Sequence, residues 1–334
     1  MKILLIRLSS MGDVILVSPV ITYLNGKYHD SSITLLTSSA YASLFEGDSR
    51  LSSVIGIKKG ELPCKAILKD DFDLVFDLQN SSKSRRLLKS LGINTVTGVF
   101  KKPRIKRLLL LLLRIDLYGS AYAVASAYIK AVGGDTLTPV PALKLDFGDQ
   151  LPESFRRWEN EGNGQPVIAL FPFSAWKNKQ WPLEYFVQVG RHYAAKGWRV
   201  LILGGKEDIS EANAAIERIK ENCLSLAGKL TLNECGKVLS RCSLALGNDT
   251  GLSHLARACG VKTGVIFGPT TRHFGFYPYA NPPYKVFELK MLCRPCHLHG
   301  GNRCPLIHWG CMKKLKPQTV IEGLEHIESV NYFL

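Results

Sequence analysis

The apolar runs of this chain are short, unbroken and closed by polar turns, as expected for strands buried on both faces of a parallel sheet. Lys2 to Leu8 is such a run. Ser9-Ser10-Met11-Gly12-Asp13 follows it, and Val14, Leu16, Val17, Val20, Ile21 and Leu24 then recur at helical spacing. A second run, Ser243 to Gly247, passes through Asn248-Asp249-Thr250-Gly251 into Leu252 to Cys259. Both units read strand, polar turn, helix. A helix N-terminus leaves backbone N–H groups unpaired at the positive end of the helix dipole, so each turn suits an anion. Asp249 and Thr250 are also good N-caps, which by itself would account for the second turn. Neither turn is a GxGxxG or Walker loop, which leaves dinucleotide oxidoreductases and P-loop NTPases without support.

Between these units the pattern predicts strands over 33–37 and 72–78 and helices over 40–45 and 83–91. Asn160 to Pro166 is polar and rich in turn formers, and a second half begins after it. There the expected order is strand 167–171, loop 172–182, helix 183–196, strand 199–203 and turn 204–208. Helices 209–222 and 232–240, strand 243–247, helix 252–259 and strand 262–267 follow. A last helix over about 317–328 starts with a proline in its first turn. Strands alternating with helices imply right-handed crossovers and parallel sheets. The expected division is residues 1–160, residues 161–316, and a terminal segment 317–334 packing back across the first half.

With 334 residues, 46% of them hydrophobic and 21% charged, the chain can bury two cores. Met1-Lys2 leads into the first strand without a signal peptide's apolar region, so a cytoplasmic protein is expected. The net charge of +15 changes the picture more. Between Asp77 and Asp116 stand ten basic residues and no acidic one, including Lys83, Arg85, Arg104, Arg107 and Arg114. Such a block points to phosphates, nucleic acid or an anionic membrane. No nucleic-acid-reading motif accompanies it. The six leucines 108–113 inside the block are too few to span a bilayer but could lie at its surface or fill a core. A phosphorylated, membrane-embedded substrate accounts for the block best.

Cys293, Cys296, Cys304 and Cys311 are spaced C-x2-C-x7-C-x6-C among His297, His299 and His308. On spacing alone four soft ligands could close a tetrahedron around Zn2+. Disulfides are disfavoured in a cytoplasmic protein.

Four blocks carry a family resemblance: Arg7 to Asp13, Lys179-Gln180-Trp181-Pro182, Asp249 to His254, and Phe267-Gly268-Pro269-Thr270. In this order they resemble the family 9 glycosyltransferases, the heptosyltransferases of lipopolysaccharide synthesis. The resemblance implies an α/β fold of GT-B type, two Rossmann-like domains facing across a cleft. The N-terminal one would bind acceptor and the C-terminal one the nucleotide-sugar. It implies inverting transfer of heptose from ADP-heptose to a phosphorylated lipid A core at the inner face of the cytoplasmic membrane, with no metal or other cofactor required. The cysteine tail would then lie outside the chemistry.

By that resemblance Asp13 is the general base and Lys179 contacts the donor phosphates. Ser174, Glu207 (or Asp208), Leu230, Asp249, Thr250, Gly251 and His254 complete the donor site. Ser174 and Ala175 stand where the family often has two threonines, so one hydroxyl is missing. Ser9, Ser10, Gly12, Arg104 and Arg107 are the acceptor-binding candidates. Two other readings stay open: transfer of another sugar, and a non-catalytic protein that binds anionic lipid.

Overall fold

The computed structural model describes residues 1–61, 71–118, 122–135, 138–277, 279 and 282–330. It divides into two compact units, Met1–Pro103 with Tyr122–Gly148, and Arg104–Ala121 with Asp149–Leu334.

The first unit holds strands β1 (Lys2–Ile6), β2 (Ser32–Ser38), β3 (Ser53–Ile57), β4 (Leu74–Asp77) and β5 (Gly98–Val99). They form one parallel sheet in the order β3-β2-β1-β4-β5. Its helices are α1 (Met11–Ile15), α2 (Ser18–Lys27), α3 (Ser39–Ala42) and α4 (Ser82–Ser90), with a further one over Val124–Ala131. Past Lys2, β1 is apolar because both of its faces are covered, and Ile3 to Ile6 are fully buried. The single helix expected after the first turn is two helices. Pro19 has no N–H and its ring would strike the carbonyl of Ile15, so the chain breaks at Leu16-Val17 and restarts with Pro19 in the first turn of α2.

The second unit begins with α5 (Arg104–Leu113), so the helix over Val124–Ala131 is α6. Its strands are β6 (Val167–Phe171), β7 (Arg199–Ile202), β8 (Cys223–Ser225), β9 (Leu244–Asn248), β10 (Lys262–Ile266) and β11 (Tyr284–Phe287). All are parallel, in the order β11-β10-β9-β6-β7-β8. The remaining helices are α7 (Glu153–Glu161), α8 (Leu183–Ala195), α9 (Ile209–Ile219), α10 (Leu232–Leu239), α11 (Gly251–Ala258), α12 (Gly310–Lys313) and α13 (Pro317–Ser329). The α/β class is as expected. α9 stops three residues early because Lys220 and Asn222 adopt positive φ, which the helix cannot continue through.

The division falls near residue 148 rather than 160, because α7 belongs to the second unit. Glu159 pairs with Arg241 at 2.9 Å, and the Arg199 guanidinium lies 4.0 Å from the Trp158 ring centre. α13 packs within the second unit. Its Val320, Ile321, Leu324 and Ile327 join the core of the second, against α8, β10 and β11. The apolar stripe of α13 is satisfied by its own sheet. Residues 331–334 lie outside the described residues.

Candidate active site

In an open parallel sheet, ligands bind beyond the carboxyl ends of the strands where the order reverses. In the first unit that point lies between β1 and β4, where Ile6 stands beside Asp77. Asp13 is at this position. The Arg7 guanidinium sits 2.6 Å from Asp13 Oδ1, and Tyr128 from α6 donates its hydroxyl to the same oxygen at 3.2 Å. Ser10 donates its backbone N–H and its hydroxyl to Oδ2 at 3.2 and 2.9 Å, so Asp13 reaches back to the residue capping α1.

Arg7 is itself fixed: it donates to Leu78 O at 2.5 Å and lies 5.4 Å from the Tyr128 ring centre. The turn is held from β4. Gln79 Oε1 accepts from the backbone of Leu8 and of Ser9, both at 3.1 Å. Asp77 Oδ1 accepts from Gln79 and Asn80, and its other oxygen takes the Ser84 hydroxyl. Burial by itself would raise the Asp13 carboxyl, but Arg7 and the Ser10 and Tyr128 bonds outweigh it and hold the group below its ordinary value. Asp13 is thus a carboxylate, pre-aimed and partly exposed. Ser9 and Ser10 lie exposed on the same turn, and Gly12 is half-buried.

In the second unit the order reverses between β6 and β9, where Phe171 stands beside Gly247. Here Lys179 and Asp249 meet. Lys179 ends a 3-10 turn in the loop after β6, and its ammonium lies 2.6 Å from Asp249 Oδ2 and 3.1 Å from Asp249 O. Thr270 donates to the same carboxylate at 2.8 Å. Burial would raise the Asp249 carboxyl; Lys179, Thr270 and His254 together hold it down. Asn248 pins the loop, accepting from Trp181 N at 3.0 Å and donating to Pro172 O at 2.8 Å. Gly247 is required by close approach: a Cβ there would come within 2.6 Å of Phe171 and 2.8 Å of Ser253 Oγ.

Thr250 is the N-cap of α11, yet its side chain makes no capping bond. Its hydroxyl is buried without a hydrogen-bond partner among the described residues. The first amides of α11 therefore have no side-chain acceptor from their cap residue. Asp249, Thr250, Ser253, His254, Arg257, Val265 and Phe276 line one small cavity at this helix start. Arg257 spends donors on the carbonyls of Tyr279, Pro282 and Pro283 and so holds the neighbouring loop.

The other donor candidates lie in the same unit. Ser174 is half-buried, and its hydroxyl accepts from Trp176 N at 3.3 Å. Asp208 is committed to the Gly205 N–H at 2.7 Å, which leaves exposed Glu207 as the carboxylate at the end of β7. Leu230 is half-buried beside the Thr231–Glu234 cap of α10. Arg104 and Arg107 are in the second unit, not in the first with Ser9, Ser10 and Gly12, and so not in the expected acceptor domain. Arg104 is exposed, whereas half-buried Arg107 lies 5.7 Å from the Phe276 ring centre.

The cysteines are corrected. Cys293, Cys296, Cys304 and Cys311 do line one cavity of about 220 Å3, with His308, Arg114 and Arg294. Among the described residues, however, no three His, Cys, Asp or Glu side chains are grouped to hold a metal ion. Two guanidinium groups line the same cavity, and burial pushes the Cys296 thiol up to about 11. A cavity of about 670 Å3 opens at the amino ends of β6 and β7, lined by Val167 and Arg199 among others, the wrong end of the sheet for a ligand of this fold.

Sequence reasoning assigned no role to Arg7, Tyr128, Gln79, Asn248 or Thr270. A charge closing the otherwise apolar run of β1 was a usable signal for Arg7. Tyr128 had none, since only tertiary packing brings α6 to the turn.

The family description glycosyltransferase family 9 (heptosyltransferase) matches residues 64–300. The chain is 28% identical over 336 residues to lipooligosaccharide heptosyltransferase 2 of Campylobacter jejuni, covering 98% of each. Among solved structures it is similar to the Escherichia coli ADP-heptose lipopolysaccharide heptosyltransferase II, with a TM-score of 0.73 at 18% identity over 98% of both chains. It is also similar to the E. coli heptosyltransferase WaaC solved with ADP, with a TM-score of 0.69 at 16% identity over 98% of this chain and 100% of that one.

Proposed function

Because the chain belongs to glycosyltransferase family 9, we propose that it transfers heptose from ADP-heptose to the inner core of lipopolysaccharide, with inversion at the anomeric carbon. The observation that carries this reading is the start of α11. There an unpartnered buried hydroxyl, a helix N-terminus without a side-chain cap and the Lys179–Asp249 pair gather at the switch point of one sheet. A diphosphate supplies the acceptors these donors lack.

The chemistry divides between the units. In the first, Asp13 takes the proton of the acceptor hydroxyl while that oxygen forms its bond to the anomeric carbon. In the second, the bond from that carbon to the diphosphate breaks and its electron pair leaves with ADP. Lys179, the α11 amides from Gly251 onward and His254 hold the departing charge. Asp249 positions Lys179. Glu207 binds ribose hydroxyls, Leu230 flanks the base, and Ser174 adds one hydroxyl to the donor. Ser9, Ser10 and Gly12 meet the acceptor sugar, with Arg104 and Arg107 on its phosphates. The acceptor is lipid-borne, and the enzyme works peripherally at the inner face of the cytoplasmic membrane. No described helix is long and apolar enough to cross it.

The test is thermal shift with ADP-, UDP- and GDP-sugars, followed by transfer from ADP-heptose to a deacylated core acceptor. ADP-heptose should raise the melting temperature most. By calorimetry, Lys179→Ala and His254→Ala should each weaken ADP binding by about 1–3 kcal/mol. Preference for a UDP- or GDP-sugar would assign another donor, and unchanged ADP affinity in both variants would place the diphosphate elsewhere.

A further inference from the structure

An exposed apolar patch of the second unit lies outside both half-sites. α5 buries only Leu110, while Ile105, Leu108, Leu112 and Leu113 are between 52% and 75% exposed. Scattered apolar side chains on a surface need no explanation, but a contiguous set does. This set is extended by a second segment, the loop after β11, where Leu292 is 99%, Leu306 61% and Ile307 82% exposed. Arg114, just beyond α5, ties the two together. It donates to Leu292 O and to Cys293 O, both at 3.3 Å, and lines the cysteine cavity beside Leu306.

The charge around this patch is predominantly basic. α5 and its end carry Arg104, Lys106, Arg107 and Arg114, and the acids beside the patch are engaged, Asp116 with His273 at 2.7 Å and Glu288 with Arg294 at 2.8 Å. From Leu289 to His308 every ionised side chain is basic: Lys290, Arg294 and Arg303, with no Asp or Glu. A second copy of the same face would set these charges against each other, which disfavours self-association. An anionic lipid surface matches both the charge and the exposed leucines. A ten-residue helix is too short to span but suited to lie in the headgroup plane.

We propose that α5 and the 289–308 loop form one membrane-docking face that seats the second unit on an anionic phospholipid bilayer. Leu112, Leu113, Leu292, Leu306 and Ile307 enter the acyl boundary, and the exposed Lys106, Lys290 and Arg303 meet lipid phosphates. The inference deepens the reading of a lipid-borne acceptor and rests on it for its purpose, but binding can be measured separately.

Flotation of the full chain with phosphatidylcholine vesicles, with and without about one-third phosphatidylglycerol, is the experiment. Binding should need the anionic lipid and fall at least tenfold between low and high salt, as screening removes a contribution of about fivefold per basic residue. Leu112→Gln/Leu113→Gln and Leu306→Ser/Ile307→Ser should each weaken vesicle binding about tenfold or more, with ADP affinity unchanged. Three outcomes overturn the proposal: no preference for anionic vesicles, undiminished binding of the loop variant, or a wild-type dimer in sedimentation that either variant dissociates. Transfer to a deacylated acceptor with no vesicle binding would remove this face and leave the function standing. Vesicle binding with no transfer to any acceptor would do the reverse.

Discussion

Each unit places one ion pair of 2.6 Å at the switch point of its sheet, but the two pairs are built in opposite senses. In the first, the cation closes a strand and is almost fully buried, with Arg7 at 3% exposure, while the Asp13 carboxylate on the helix is 15% exposed. In the second, the cation arrives on a loop, the carboxylate sits in the turn, and Lys179 and Asp249 are equally covered at 11% and 10%. A proton acceptor must reach its substrate, so the accessible carboxylate with its buried guanidinium suits a base and its support. In the proposed phosphate site a cation must stay in place between turnovers without being left unpaired, and Asp249 would do that for Lys179. On the proposed reading the same pairing would serve two chemistries, with Asp13 the more accessible partner of the first pair and Lys179 the ligand-facing partner of the second.

The sharpest way to break this comparison is Asp13→Asn. Turnover should fall by about two to four orders of magnitude, the usual worth of a positioned base, while ADP affinity measured by calorimetry stays at the wild-type value. Near-normal turnover would make Asp13 only the helix-cap partner of Ser10 and leave the first pair structural.

A smaller effect tests what Arg7 does for Asp13. Burial pushes the carboxyl up and Arg7 is the strongest influence holding it below its ordinary 3.8. With a lowered folded-state value, the stability that Asp13 contributes is present above its unfolded value and is lost as pH falls through the folded one. The wild-type rate should therefore show no acid limb from Asp13 between neutral pH and about 4. In Arg7→Met burial dominates, the carboxyl rises, and kcat/KM should acquire an acid limb at higher pH. A pH profile that merely scales down, with no limb, would assign Arg7 to folding alone.

Legibility in the sequence followed the range of the forces. β6 was predicted residue for residue, because its apolar run is bounded by Pro166 and Pro172 and needs no distant information. Asp13 and Asp249 were legible as candidates because each stands in a strand-turn-helix motif read along the chain, and Lys179 through the family resemblance of the Lys179–Pro182 block. Their partners were not. Tyr128 reaches Asp13 only through the packing of α6 on α2, and the Lys179–Asp249 pair needs β6 beside β9. The helix break at Pro19 was legible in principle, but the apolar periodicity running through it masked the missing N–H. β5 and β11, two and four residues long, offered too little pattern to distinguish them from loop.

The smallest expected effect sharpens the second half of the comparison. If the diphosphate sits on the start of α11, the Thr250 hydroxyl is unpartnered only while no donor is bound. Thr250→Val keeps the shape and removes the hydroxyl, and no capping bond is lost because none is made. The free protein should be unchanged or up to about 1 kcal/mol more stable in urea denaturation, since an unsatisfied buried polar group is gone. ADP binding should weaken by about 0.5–1.5 kcal/mol, the net worth of one hydrogen bond. Both signs matter. A stabilised protein with unaltered ADP affinity would show that the hydroxyl never meets the ligand, and the phosphates would then rest on Lys179, His254 and the backbone amides alone.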